Sequence, residues 1–138
     1  MKRGQIGLSA VAAVLAALAD PVRLRILRLV RQRELCVCEL VDALGMPQYK
    51  VSRHLGALRK TKIVTARRRG RWMHYRLDAR PEAARVASQL MGILAPGVKR
   101  APEAKDDSSR LASRLRLRRA GQCVVGGLGE RCGRERSR

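Results

Sequence analysis

A glycine and a proline separate two short segments whose apolar residues repeat at helical spacing. The first segment, residues 35–44, ends at Gly45, which accepts the left-handed backbone that closes many helices. Pro47 then suits the first turn of a second helix, where a missing N–H costs nothing. The buried stripe expected on that second helix is Val51, Leu55 and Leu58. Two helices joined by so tight a turn predict a helix-turn-helix unit, to which the remaining chain must adapt.

Two more helices are predicted upstream of this unit. Apolar residues three and four apart predict a helix over residues 8–18. Asp20 can cap the next helix, and Pro21 then occupies its first position. The apolar face of that helix is Val22, Ile26, Leu29 and Val30. The arginines on its other face are expected to be solvated.

Downstream, the period changes from helical to alternating. Residues 63–66 and 72–77 predict two short strands, and Gly70 lies in the turn between them. This hairpin would form a wing beside the helix-turn-helix. Residues 43–77 contain ten basic residues and no acidic one, which favours contact with a polyanion over a merely solvated surface.

The net charge of +20 also indicates nucleic acid or an anionic surface as partner. No apolar run reaches 18 residues, so no membrane span is expected. Four cysteines without a secretory signal favour the cytosol, with free thiols or metal ligands rather than disulfides.

The last predicted helix, residues 81–94, carries an apolar stripe suited to a two-fold dimer interface. Beyond it, Arg, Ser and Gly dominate and no sustained apolar pattern remains. The predicted organisation is a DNA-binding and dimerisation domain over residues 1–95 and a basic, flexible tail over residues 96–138. The residues assigned to the dimer interface are Leu15, Val86, Leu90, Ile93 and Leu94.

Three motifs in order resemble the ArsR/SmtB family of metal-responsive repressors. Residues 34–40 (ELCVCEL) resemble its metal-binding box, residues 50–55 (KVSRHL) its recognition helix, and residues 70–77 (GRWMHYRL) its wing strand. The resemblance covers roughly residues 10–94. It implies a mainly α, dimeric winged helix-turn-helix protein with a small β-hairpin, and no enzymatic activity. Such repressors bind operator DNA and leave it when a toxic metal or metalloid binds.

The Cys-Val-Cys box resembles most closely that of the arsenite and antimonite sensors, so the implied inducer is As(III) or Sb(III), with no organic cofactor. Cys36 and Cys38 are then the thiolate ligands, and Cys123 or Cys132 is a candidate third. Arsenic sensors often carry a third cysteine where this chain has Val41. Two alternatives stay open: a cadmium- or lead-responsive repressor of the same family, and a constitutive basic nucleic-acid-binding protein.

Residues two apart on an intact helix point about 200° away from each other. Cys36 and Cys38 could therefore share one ion only if the first turn of their helix were distorted. We expect that distortion to move the recognition helix and weaken its hold on double-stranded DNA. The residues predicted to contact DNA are Gln48, Lys50, Ser52, Arg53 and His54 of that helix and Arg67, Arg68, Arg69 and Arg71 of the wing.

Overall fold

The computed structural model of the chain describes residues 7–78, 80–121 and 123, which contain six helices and three strands. The helices are α1 (Leu8–Leu18), α2 (Pro21–Val30), α3 (Val37–Leu44), α4 (Gln48–Lys60), α5 (Glu82–Arg100) and α6 (Pro102–Leu115). The strands are β1 (Leu35–Cys36), β2 (Thr65–Arg69) and β3 (Trp72–Arg76). Within these residues, no helix is both long enough and apolar enough to cross a membrane.

The predicted start of α2 is confirmed. The Asp20 carboxylate accepts hydrogen bonds from the backbone N–H groups of Val22 and Arg23, at 2.8 and 3.1 Å. These bonds satisfy two donors that the first turn of a helix leaves unpaired. Pro21 follows at the first helical position. The helix therefore enters the core in a defined direction and buries Ile26 completely.

The predicted turn between α3 and α4 is confirmed as well. Gly45 has φ 64° and ψ 34°, the left-handed conformation that other residues adopt at a cost. Pro47 caps α4, and the predicted stripe of that helix is fully buried. The two helices thus pack as a helix-turn-helix unit over a shared apolar core.

We expect Gly45→Ala to destabilise the protein by about 1–2 kcal/mol, because alanine at this φ is strained. The new methyl group would meet the Arg110 guanidinium at an ordinary 3.7 Å, so the cost comes from the backbone. Gly56→Ala is the matched control. Gly56 lies inside α4 in open space, and there alanine should stabilise by about 0.5–1 kcal/mol. Urea denaturation measures the free energy of unfolding of both variants. If both substitutions changed it in the same direction, the assignment of strain to Gly45 would be wrong.

The predicted start of the third helix at Leu35 is wrong. Leu35 and Cys36 form strand β1, which pairs antiparallel with β3 in the register Leu35↔Tyr75 and Cys36↔His74. Pairing with β3 holds this backbone extended, so α3 begins only at Val37 and Cys36 becomes its N-cap. A two-residue strand has too few positions to show a period in the sequence.

The wing is a hairpin as predicted, although β2 begins and ends later than expected. β2 pairs antiparallel with β3 from Thr65↔Arg76 to Arg69↔Trp72, and the sheet order is β1-β3-β2. Gly70 and Arg71 make the turn, and Gly70 takes φ 60°. The basic tip therefore projects from a sheet that is anchored to the start of α3.

The structure differs from the prediction of a flexible tail from residue 96. α5 continues through Pro96 to Arg100, and α6 then packs against α3 and α2. The arginines of α2 were expected to be solvated, but Arg25 and Arg28 bind Asp107 and Ser108 of α6. Polar contacts as well as Leu111 hold α6 in place, so the helix carries little apolar periodicity for the sequence to show.

Candidate functional site

The exposed face of α4 carries a cationic and aromatic surface. Lys50 and Arg53 are exposed and Ser52 is half-buried. Tyr49 is 63% exposed beside them, near the N-terminal end of the helix. Tyr49 was not predicted from the sequence, although its position four residues before Arg53 on the same helical face could have revealed it. This end of α4 can present hydrogen-bond donors and an aromatic ring to a partner.

Two residues predicted to contact DNA instead face inward. Gln48 and His54 are each only 8% exposed. His54 Nδ1 accepts a hydrogen bond from Arg23 Nε at 3.2 Å and lies 3.9 Å from Asp20. Burial lowers the pKa of His54, and the nearby Arg23 and Arg53 lower it further, against the opposing effect of Asp20. A neutral His54 matches its role as acceptor from Arg23.

The four wing arginines divide into two pairs. Arg67 binds the Glu34 carboxylate at 2.9 and 3.1 Å, and Arg69 reaches it at 3.5 Å. Arg68 and Arg71 are exposed, and neither forms an ion pair with another residue in the described part of the chain. The wing therefore has two arginines held by Glu34 and two available to a partner.

A buried cluster of three ligand groups lies where β1 meets α3. Cys36 Sγ is 3.1 Å from Cys123 Sγ, and neither sulfur belongs to a disulfide. The backbone N–H of Cys36 donates to Glu39 Oε1 at 3.0 Å. One ligand atom from each of the three residues falls within 4.8 Å of the others. Cys36 and Glu39 are fully buried and Cys123 is 5% exposed, so the site is shielded from bulk solvent.

The predicted ligand pair is not the pair that the structure brings together. Cys38 is buried in the first turn of α3, is disulfide-bonded, and lies outside the cluster. The expectation of cysteines without disulfides therefore agrees with the structure at Cys36 and Cys123 but not at Cys38, because pairing depends on proximity in the fold rather than on spacing. Cys132 lies outside the described residues.

Arg118 pairs with the carboxylate of the cluster. Arg118 donates to Glu39 Oε2 at 2.6 Å and to Oε1 at 2.7 Å. Burial would raise the pKa of Glu39, but the bonds from Arg118 and from the Cys36 N–H outweigh it, so the pKa is lowered. The hydrogen bond to Cys123 and then burial raise the pKa of Cys36. The resting cluster is thus a carboxylate beside a protonated thiol.

Buried charged side chains of α6 bind to α2 and α3. Asp107, 1% exposed, accepts from Arg25 of α2 at 2.7 and 2.9 Å. Arg114, also 1% exposed, pairs with Asp42 of α3 at 2.7 Å. Arg110 donates to the carbonyl of Ala43 at 2.7 Å. These residues were not predicted from the sequence, since isolated charges in a basic segment give no sign of burial.

The residues predicted to form a dimer interface lie on α1 and α5, which pack against each other. Leu15, Ile93 and Leu94 are exposed by 52, 75 and 43%. Val86 and Leu90 are half-buried against the core. An apolar surface therefore spans the outer sides of these two helices.

Comparisons with known proteins agree with this architecture. The family described as "Bacterial regulatory protein, arsR family" matches residues 20–66, which run from the cap of α2 into the wing. The solution structure of the homodimeric winged helix-turn-helix domain Mb0332 from Mycobacterium bovis, a possible ArsR-family regulator, is 32% identical. It aligns with a TM-score of 0.57 over 71% of this chain and 91% of that one. This chain belongs to the ArsR family. The predicted family and winged helix-turn-helix fold are confirmed, and the family is one of regulators rather than enzymes.

Two curated ArsR-family relatives have names that refer to arsenic. The arsenic resistance transcriptional regulator ArsR1 of Pseudomonas putida is 46% identical over 83 residues, which are 59% of this chain and 63% of the relative. The arsenical resistance operon repressor of Escherichia coli is 49% identical over 62 residues, 44% of this chain and 53% of the relative. The chain therefore spans between half and two thirds of their length. The family match over residues 20–66 contains the helix-turn-helix that this ArsR-family protein builds from α3 and α4.

Proposed function

We propose that this protein is a homodimeric transcriptional repressor that binds operator DNA and is released by As(III) or Sb(III). One observation carries the proposal. A buried free thiol, Cys36, caps the first helix of the helix-turn-helix, whose second helix presents Lys50 and Arg53 outward. An inducer bound at this thiol would act directly on the element that positions the DNA-contacting helix.

The DNA-binding part of the proposal rests on the two exposed basic surfaces. Side chains near the start of a recognition helix approach base edges in the major groove. Lys50 and Arg53 are exposed there and would make such contacts, while Arg68 and Arg71 of the wing would contact the phosphate backbone. Gln48 and His54 were predicted to contact DNA directly. They would not do so in this arrangement, since both side chains are buried.

The homodimer is supported by the apolar surface of α1 and α5. Leucine and isoleucine side chains exposed as far as Leu15 and Ile93 are more stable when covered. A second copy related by two-fold symmetry would cover each surface with its equivalent. Two recognition helices would then face successive major grooves of a palindromic operator.

The inducer part rests on thiol chemistry and on the position of Cys36. Soft sulfur ligands select soft or borderline ions, and trivalent arsenic and antimony are strongly thiophilic. The sequence predicted release through chelation by Cys36 and Cys38, but Cys38 is disulfide-bonded in the structure. An inducer bound at Cys36 would instead act on the N-cap of α3. Almost complete release needs about 5.5 kcal/mol of differential affinity. Thiolate sites can supply this, since structural zinc sites reach about 10–16 kcal/mol.

The proposal is tested by DNA release. Fluorescence anisotropy of operator DNA from upstream of the chain's own gene would be followed during titration with arsenite, antimonite, cadmium, lead and zinc. We expect arsenite and antimonite to release the wild-type protein, and Cys36→Ser to need at least 100-fold more arsenite. Unrelated DNA of equal length is the control. Release by cadmium or lead alone would indicate the alternative sensor, and binding insensitive to every ion would indicate a constitutive DNA-binding protein.

A further inference from the structure

We propose that the inducer site joins Cys36 to Cys123, with Cys123 in place of Cys38 as the second sulfur ligand and Glu39 as acceptor for the remaining hydroxyl of the bound arsenic. This inference rests on the proposed function and names the ligands of the same site. The predicted pair lies two residues apart on the chain. The proposed pair lies 87 residues apart and meets only through the fold.

The separation of the sulfurs suits a single bridging atom. At 3.1 Å the two Sγ atoms are too far apart for a disulfide of about 2.0 Å. An atom bonded to both at about 2.3 Å would have a sulfur–atom–sulfur angle of roughly 85°, well below the tetrahedral angle of about 109° that zinc prefers. A pyramidal three-coordinate centre with a lone pair has narrow angles of this kind. The cluster therefore favours trivalent arsenic or antimony.

The binding step balances without any oxidant. The thiols of Cys36 and Cys123 displace two hydroxyl groups from arsenous acid, As(OH)₃. Two S–H and two As–O bonds break, two As–S bonds and two O–H bonds form, and two water molecules leave, while arsenic stays trivalent. Because the protons leave as water, the binding step releases no net proton.

Glu39 is placed to accept the third As–OH group. Its carboxylate already accepts from Arg118 twice and from the Cys36 N–H. A carboxylate offers about four lone-pair positions, so one further donor fits. Arg118 donates to both oxygens of this carboxylate, and hydrogen bonds that involve a charged group are the stronger ones.

Helix α6 explains why Cys123 can reach Cys36. Arg118 binds both Glu39 and the carbonyl of Glu34, which positions the segment that leads to Cys123. Buried Arg114 of α6 places Nη2 3.6 Å from Cys123 Sγ, and its positive charge favours sulfur that loses a proton. A ligand joining the two sulfurs would tie the segment that follows α6 to the start of α3. The occupied site would thereby change how α3 supports α4.

Phenylarsine oxide tests the pairing directly, because it binds two thiols and loses one water. The full-length protein would be reduced with a phosphine, treated with the reagent and digested with trypsin. Cleavage separates residues 34–50, which contain Cys36 and Cys38, from residues 120–131, which contain Cys123, and from residues 132–134, which contain Cys132. Mass spectrometry should find one adduct that joins 34–50 to 120–131. An adduct within 34–50 alone, or one joining 34–50 to 132–134, would overturn the inference.

Variants of Cys123 and Cys38 test the ligand assignment with arsenite itself. Cys123→Ser and Cys123→Ala should lower arsenite affinity by on the order of 100-fold or more, since a chelate becomes a single bond. Cys38→Ser should keep both the affinity and the two-peptide adduct. Melting temperatures near the wild-type value would show that the variants are folded. Equal arsenite affinity of wild type and both Cys123 variants would overturn the inference.

Two outcomes separate the Cys36–Cys123 site from arsenite-induced release of DNA. If arsenite releases DNA from wild type and from the Cys123 variants alike, the repressor function stands and the Cys36–Cys123 site is wrong. If the two-peptide adduct forms and Cys123 is needed for arsenite binding while DNA stays bound, the site stands and induced release is wrong.

Discussion

Glu39→Gln is expected to destabilise the protein by about 3 kcal/mol at neutral pH, because it removes one partner of a buried ion pair. Glu39 is fully buried, and Arg118 binds both of its oxygens. The amide leaves the Arg118 charge uncompensated and turns one acceptor into a donor that faces the guanidinium. Denaturation with guanidinium chloride measures the loss in the free energy of unfolding. Glu103→Gln, at an exposed position in the first turn of α6, is the control and should cost less than about 1 kcal/mol.

The same carboxylate predicts a pH dependence. Its folded-state pKa lies below the ordinary value of 4.5, so the unfolded chain binds the proton more readily. The stabilisation from ionised Glu39 is therefore complete above the ordinary carboxyl pKa and is lost as pH falls through the lowered folded pKa. The stability difference between wild type and Glu39→Gln should stay constant above about pH 5.5 and shrink in more acidic solution. A difference that grows on acidification would contradict the ion pair.

Replacing Arg68 and Arg71 together with alanine is expected to weaken operator binding at least tenfold, about 1.4 kcal/mol, and to reduce its salt dependence. Each lost phosphate contact lowers the magnitude of the slope of log K against log salt by about 0.9. The double variant removes two contacts from each protomer of the homodimer, so the magnitude of its slope should fall by about 3.6. These two arginines are chosen because Glu34 holds Arg67 and Arg69. Anisotropy titrations at several salt concentrations measure the slope.

A control separates wing contact from net charge. Arg100→Ala combined with Arg116→Ala removes the same charge from exposed positions outside the helix-turn-helix and the wing. Its slope should stay close to that of wild type. Equal reductions in the two double variants would show that the overall charge, and not the wing, determines the salt dependence.

Local rules explain how much of the fold was predictable. Asp20, Pro21, Gly45 and Pro47 act on the backbone next to them, so their effects are the same wherever the segment packs. The stripe of α4 follows from helical geometry in the same way. The structure confirms these features together with the hairpin that forms the wing.

The features missed are those that depend on distant partners. β1 exists because β3 pairs with it, and α6 packs because Asp42 and Arg25 offer opposite charges to Arg114 and Asp107. The inward positions of Gln48 and His54 depend in the same way on what packs beneath α4. None of these partners can be identified from spacing along the chain.

The amino-acid sequence by itself determined the helix-turn-helix, the wing, the family and the position of the Cys36 sulfur at the start of the helix-turn-helix, because each is encoded within a few neighbouring residues. Only the tertiary structure decided which groups stand beside that sulfur. Cys123 and Glu39 meet Cys36 through chain reversals and buried ion pairs between distant segments, so their proximity follows from how the whole chain packs.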